Sequence, residues 1–145
     1  MITNERQYRI TKTEADKFAD AVAHVDERCA HLDPIIRRAM KDGLESELEI
    51  LREQLAEYEA LRSGRIAVLE LDSLRALPDA LIRARIAAGL TQKELAARLG
   101  LKEQQIQRYE ATRYAGVSLE RVQAVAEALG VKIHERVILP SASGS

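Results

Sequence analysis

The sequence predicts an all-α protein, and three observations carry that prediction. Leu, Ala, Glu and Arg dominate the composition, as they do in helical proteins. Aromatic residues are scarce: Phe18, Tyr8, Tyr58, Tyr109 and Tyr114 are the whole set. Apolar residues recur at spacings of three and four over most of the chain. The 145 residues, 46% hydrophobic and 31% charged, suit one domain with an accessory arm and allow one modest core. Gly and Pro together number only ten, which excludes collagen-like and low-complexity disordered chains.

The first periodic segment opens at Thr11, which can cap a helix, with Glu14 three residues on completing a capping box. The helix is expected to run to about residue 30. Its apolar positions Ala15, Phe18, Val22, Val25 and Cys29 make a narrow, coiled-coil-like stripe that needs a partner. Asp33-Pro34 starts the next helix, since Asp is a good N-cap and Pro at the first helical position loses no intrahelical hydrogen bond. Its stripe is Ile36, Met40, Leu44, Leu48, Leu51, Leu55, Tyr58 and Arg62. The stripe keeps one phase through Gly43, which favours a single long helix over two short ones, with a kink at Asp42-Gly43 as the alternative. The Glu residues at 45, 47, 49, 53, 57 and 59 read as a solvated face. An antiparallel hairpin follows, packing internally, against a second copy, or both, with Phe18, Val22, Leu44, Leu48, Leu51, Leu55 and Tyr58 as its contact stripe.

Ser63-Gly64 ends this arm, so residues 1–64 form one unit and 65–77 a linker. Ile66, Val68, Leu69 and Leu71 read as a short extended segment. Val131, Ile133, Val137 and Leu139 read as another, within a terminal stretch, 131–145, that ends in a frayed SASGS tail. The two segments are candidates for pairing as flanking strands. Between them four short helices are legible at 78–88, 92–99, 102–111 and 119–129, punctuated by Gly89, Gly100, Gly116 and Gly130 and capped by Thr91 and Ser118. Helices this short must pack as a bundle to persist.

The net charge of −1 hides an asymmetry. Residues 1–62 hold ten Lys or Arg against fourteen Asp or Glu, whereas residues 78–122 hold eight against five. An acidic front and a basic back fit a protein partner and a polyanion respectively. Cys29 is the sole cysteine, so no intramolecular disulfide can form and a cytoplasmic setting is expected. No apolar run reaches the roughly 20 residues that span a bilayer, so no membrane partner is expected.

The middle pair of short helices obeys the geometric restrictions of a helix-turn-helix. Leu95 and Leu99 face inward from the first helix, and Leu101, Ile106 and Tyr109 answer from the turn and the second. Ala96 supplies the small side chain where the helices cross, and Gly100 the left-handed turn residue. Residues 78–130, through the phrases RIAAGLTQKELAARLGL, IQRYEAT and LERVQAVAEALGV, resemble the Cro/C1-type helix-turn-helix of the XRE group of bacterial and phage regulators. The whole chain is similar, less specifically, to XRE regulators with a helical N-terminal extension, some of which are antitoxins.

The resemblance implies that the helix 102–111 enters the major groove of double-stranded DNA. On matching positions, Gln92 meets a phosphate and braces the recognition helix, with Lys93 nearby. Lys102, Glu103, Gln104 and Gln105 lie at its groove-facing end, and Arg108 follows one turn later. Such side chains suit base edges: Gln can pair bidentately with adenine, Arg or Lys with guanine, and Glu accepts from cytosine. Arg113 and Tyr114 are candidates for backbone contact. Arg85 and Glu110 match a structural ion pair of the family. The sequence departs from the family after Glu110, where ATRYAGVS replaces the usual short glycine turn and proline.

His24, Cys29, His31 and Asp33 match no standard zinc spacing, and no catalytic constellation stands out, so neither a metal, a cofactor nor an enzymatic activity is expected. The expectation is a dimeric repressor of inverted-repeat sites. The alternatives are an antitoxin that holds a toxin protein through its acidic arm and a scaffold that has kept the fold without the DNA.

Overall fold

A computed structural model describes residues 1–141 of the chain. It contains six α-helices: α1 (Glu5–Arg28), α2 (Pro34–Arg62), α3 (Leu77–Ala87), α4 (Gln92–Leu99), α5 (Glu103–Ala111) and α6 (Leu119–Leu129). A single 3₁₀ turn, Leu74–Ala76, leads into α3. The fold is therefore all-α, as the composition predicts. The predicted frayed tail lies, beyond Ser141, outside the described residues.

The arm is an antiparallel hairpin of α1 and α2. Its first helix begins earlier than expected. Asn4, not Thr11, is the N-cap, and its Oδ1 accepts from the Gln7 N–H at 2.8 Å. Thr11 lies inside the helix, because a helix already nucleated at Asn4 runs through any later capping signal. Asp33 caps α2 as predicted, accepting from the Ile35 N–H at 2.8 Å. That helix passes through Gly43 without interruption, so the single-helix reading holds.

Neither predicted flanking strand forms. Residues 65–72 and 131–141 contain no strand, and among the described residues no β-pairing is present. Their sequence pattern is strand-like, but a strand exists only with a partner, and within this chain each segment runs alone.

The arm and the bundle share one core. Leu81, Ile82, Ile86, Leu95, Ala96, Ile106, Val125 and Leu129 from the bundle join Tyr58 and Leu61 from α2 and Ile2 from the chain's first residues. Arg83 of α3 also pairs with Glu57 of α2. Two stacked rings, Tyr8 and Tyr58 at 5.0 Å, tie α1 to the base of α2. Their hydroxyls donate to Glu59 and Glu5 respectively. The Glu59 hydrogen bond raises the pKa of Tyr8, and burial raises that of Tyr58. Farther from the bundle the hairpin thins out: Ala15, Val25 and Leu48 are its buried residues there, while Ile35, Ile36, Met40 and Ile50 face solvent.

Candidate nucleic-acid interface

Helices α4 and α5 meet through Leu95, Ala96, Leu99, Leu101 and Ile106, with Leu95 and Ile106 fully buried. Thr91 caps α4 in a reciprocal box: its Oγ1 accepts from the Glu94 N–H at 3.0 Å, and the Glu94 carboxylate reaches back to Thr91. Gly100 ends the helix at φ 68°, the left-handed conformation that lets the chain turn sharply into α5 and that a side chain would penalise. The Leu101 N–H closes the turn on the Ala96 carbonyl at 2.8 Å.

Beneath this pair lies a buried polar network. Arg85 of α3 is 2% exposed and Glu110 of α5 is 5% exposed. The Arg85 Nε and Nη2 donate to the two Glu110 oxygens at 2.6 and 2.9 Å. The guanidinium also donates to the Leu90 carbonyl at 2.9 Å and to the Thr3 carbonyl at 2.6 Å. Gln92 Nε2 completes the set by donating to Glu110 Oε1 at 3.0 Å. A bidentate pair with its remaining donors satisfied is the arrangement in which a buried charge is tolerable, and it fixes α5 against α3 and α4.

The structure brings four of the nine predicted contact residues together. Lys93, Lys102, Glu103 and Gln104 line a shared concavity whose floor is Ala96, Ala97 and Leu101. Lys93, Lys102, Gln104 and Arg108 are exposed, and their side chains make no hydrogen bond or ion pair among the described residues. Gln105 plays a different part: its Oε1 accepts from the Lys102 N–H at 3.0 Å and caps α5. Glu103 is exposed and accepts from Gln107 at 3.4 Å. Arg113 stands 51% exposed beside Asp79 at 3.1 Å, and with Gln92 and Gln107 it borders the adjoining recess.

Tyr114 requires a correction. Its ring is 6% exposed and packs beside Tyr109 at 5.6 Å, so the side chain belongs to the core rather than the surface. Burial drives its hydroxyl pKa well above the ordinary tyrosine value. The departure in ATRYAGVS explains this placement. Arg113 and Tyr114 are both left-handed, at φ 53° and 58°, and that double turn swings the ring inward. Two consecutive non-glycine residues in this region are strained, and the buried ring helps hold them there.

The arm contributes what local patterns did not announce. Residues Thr3, Asn4 and Arg6, together with Arg62 at the end of α2, border the same recess as Thr91, Gln92, Glu103 and Gln107. Only the apolar Ile2 hinted that the first residues pack on the bundle. Of the predicted contact stripe, Leu55 and Tyr58 are taken up by the shared core, while Phe18, Val22, Leu44 and Leu51 are half-buried along the hairpin. Val22 and Leu48, with Ala19, Ala23 and Ala56, line an open groove that also carries Glu45, Glu49, Arg52 and Glu53.

Residues 81–136 match the family model described as Helix-turn-helix. The chain thus carries a Cro/C1-type helix-turn-helix domain of the XRE group, behind a helical N-terminal extension. This is a domain of DNA-binding transcription regulators. No curated protein and no solved structure matches the chain significantly. No helix among the described residues is long and apolar enough to cross a membrane.

Proposed function

We propose that the protein is a sequence-specific, dimeric transcriptional repressor that reads an inverted repeat in double-stranded DNA with α5. The observation that carries this reading is a set of exposed polar side chains, Lys93, Lys102, Gln104 and Arg108, on α4, α5 and the turn between them, that make no hydrogen bond or ion pair among the described residues. Gln104 and Arg108 lie one helical turn apart and read base edges, while Lys93, Lys102 and Arg113 meet phosphate. Gln92 holds α5 through Glu110 and meets phosphate at the start of α4. Glu103 accepts from a cytosine amino group, and Gln105 orients the helix start from which these residues project.

A lone copy with net charge −1 has little electrostatic affinity for a polyanion, and a second copy doubles the contacts. The hairpin supplies that interface through its half-buried stripe, Phe18, Val22, Leu44 and Leu51, around the buried Leu48, with exposed Ile36 and Met40 extending it. Two recognition helices related by a two-fold axis then enter successive major grooves roughly 34–36 Å apart. A second reading draws support from the acidic residues of the hairpin groove: the arm holds a toxin protein, and the bundle autoregulates the operon of both.

The test compares Gln104→Ala and Lys102→Ala on an enriched site and on random DNA over a salt series. Gln104→Ala is expected to lose about 1–3 kcal/mol on the site alone. Lys102→Ala is expected to weaken both DNAs and to reduce the salt slope by about one. Equal losses on both DNAs for Gln104→Ala would remove it from base reading. Sedimentation of the full chain as a dimer supports the first reading; a monomer that binds DNA only beside a small basic partner protein supports the second.

A further inference from the structure

Two stretches flank the DNA-binding bundle, 65–72 before α3 and 132–139 after α6, and both lie outside any helix or strand and are mostly exposed to solvent. No backbone group of residues 67–72 or 132–140 makes a hydrogen bond within the described chain. Several of their apolar side chains are bare: Val68 is 73% exposed, and Val137, Ile138 and Leu139 are 80%, 81% and 79% exposed, while Leu69, Leu71 and Ile133 are 37%, 38% and 45% exposed. Runs of this kind with free backbone donors and acceptors are templates for strand pairing, and left uncovered they invite aggregation. Each run is anchored beside its start, because Ile66 and Val131, the latter one residue before the second stretch, pack against the shared core.

We propose that residues 67–72 of one copy pair, as an antiparallel strand, with residues 134–139 of a second copy, and reciprocally across the two-fold axis. This rests on the reading of the chain as a dimer and specifies how its two DNA-binding bundles are joined. The charge pattern selects the partner and the direction. Within the paired residues the first stretch is apolar at 67–69 and carries Glu70 and Asp72 beyond, while the second carries His134, Glu135 and Arg136 before the apolar residues 137–139; Arg65 and Lys132 lie outside the register. Antiparallel alignment sets Val68 opposite Ile138, Leu69 opposite Val137, Glu70 opposite Arg136 and Asp72 opposite His134, leaving Leu71 against Glu135 as the one mismatched pair. Parallel alignment would set the apolar residues 67–69 against His134, Glu135 and Arg136. Pairing of 132–139 with its own copy about its two-fold centre would set Glu135 against Arg136 but would leave residues 67–72 uncovered.

The consequence is functional. Because the paired stretches enter α3 and leave α6, the ribbons tie each bundle to the other copy's bundle and set the separation of the two recognition helices.

The test uses the full chain with Cys29→Ser, carrying Leu69→Cys, Val137→Cys or both. Both positions are exposed, so neither substitution disturbs the core. Residues directly opposite in an antiparallel pair sit within disulfide reach. Mixing the two single variants under mild oxidation is expected to give a disulfide-linked dimer containing one of each, whereas each variant alone gives far less. In the parent, backbone amides 67–71 and 134–138 are expected to gain hydrogen-exchange protection as concentration rises through dimer formation. A double variant that closes its disulfide within one chain would overturn the proposal. So would an uncross-linked, unprotected chain that sediments as a dimer, which would leave the dimer reading standing. A chain that sediments as a monomer at all concentrations would overturn both.

Discussion

The bundle and the hairpin arm use the same residue types, yet they bury them to different depths. In the bundle, helices of 8 to 11 residues converge from several directions, and Ile82, Leu95, Ile106 and Val125 are fully buried. In the arm, helices of 24 and 29 residues face each other across a single seam, with Ala15, Val25 and Leu48 buried along it and Ile35, Ile36, Met40 and Ile50 in solvent. Length therefore does not measure burial. Two helices have one mutual interface, so each keeps much of its surface wet until something else covers it, whereas four short helices enclose a centre. The bundle is a finished unit at its core, and the arm is finished only at its base, where Tyr58, Leu61 and Ile2 enter the bundle's core.

The largest expected effect breaks the bundle at its polar centre. Arg85→Ala leaves the Glu110 carboxylate buried without its cation and is expected to cost about 3–5 kcal/mol in urea unfolding. The same change frees the Thr3 carbonyl, so amide exchange at residues 3–7 should speed up as well. Replacing the pair by Arg85→Met with Glu110→Leu is expected to restore most of the loss, because the apolar pair needs no partner charge.

A smaller effect separates the two regions directly. Leu95→Ala, at a fully buried site, is expected to cost about 2–5 kcal/mol at any protein concentration. Leu51→Ala, at a half-buried site on the hairpin, is expected to cost less in dilute protein and to weaken self-association instead. Concentration-dependent unfolding distinguishes the two. Equal, concentration-independent losses would mean that the arm is as complete as the bundle.

The smallest effect is a gain. Gly43 lies inside α2 with nothing within 4 Å of where its Cβ would stand. Gly43→Ala is expected to stabilise the chain by about 1 kcal/mol through helix propensity alone, read as a higher urea midpoint with unchanged slope.

The same contrast explains how much the sequence disclosed. The bundle was legible nearly to the residue, because tight geometry restricts identity: Gly100 at a left-handed turn, Ala96 at a helix crossing, Thr91 with Glu94 at a cap. Arg85 and Glu110 form a buried ion pair, and the Gln92 hydrogen bond to Glu110 adds a contact that the spacing alone did not announce. The arm was legible as two helices and a stripe, but a stripe states only that something must cover it. Hence Tyr58 and Leu55, which the pattern left open to an internal or a partner surface, close the chain's own core. Residues 1–4 carried almost no local signal, since their placement against Arg85 is a long-range contact. Tyr114 was misplaced because its orientation depends on two left-handed residues that the sequence ATRYAGVS does not advertise. The flanking strands failed for a related reason: alternation predicts a strand's faces, while its hydrogen bonds require a second strand that the single chain does not bring alongside.

Because the arm's base and the bundle share one core, the two cannot be tested as separable pieces, and the decisive measurement uses the full chain. Incubated with random duplex DNA and with sheared DNA of its host at physiological salt, the protein is expected to retain an inverted repeat whose half-site centres lie one helical turn apart, with Gln104→Ala losing preference at a defined position in each half. Retention of DNA without sequence enrichment, or no retention at all, would contradict the assignment of α5 as the reader of an operator.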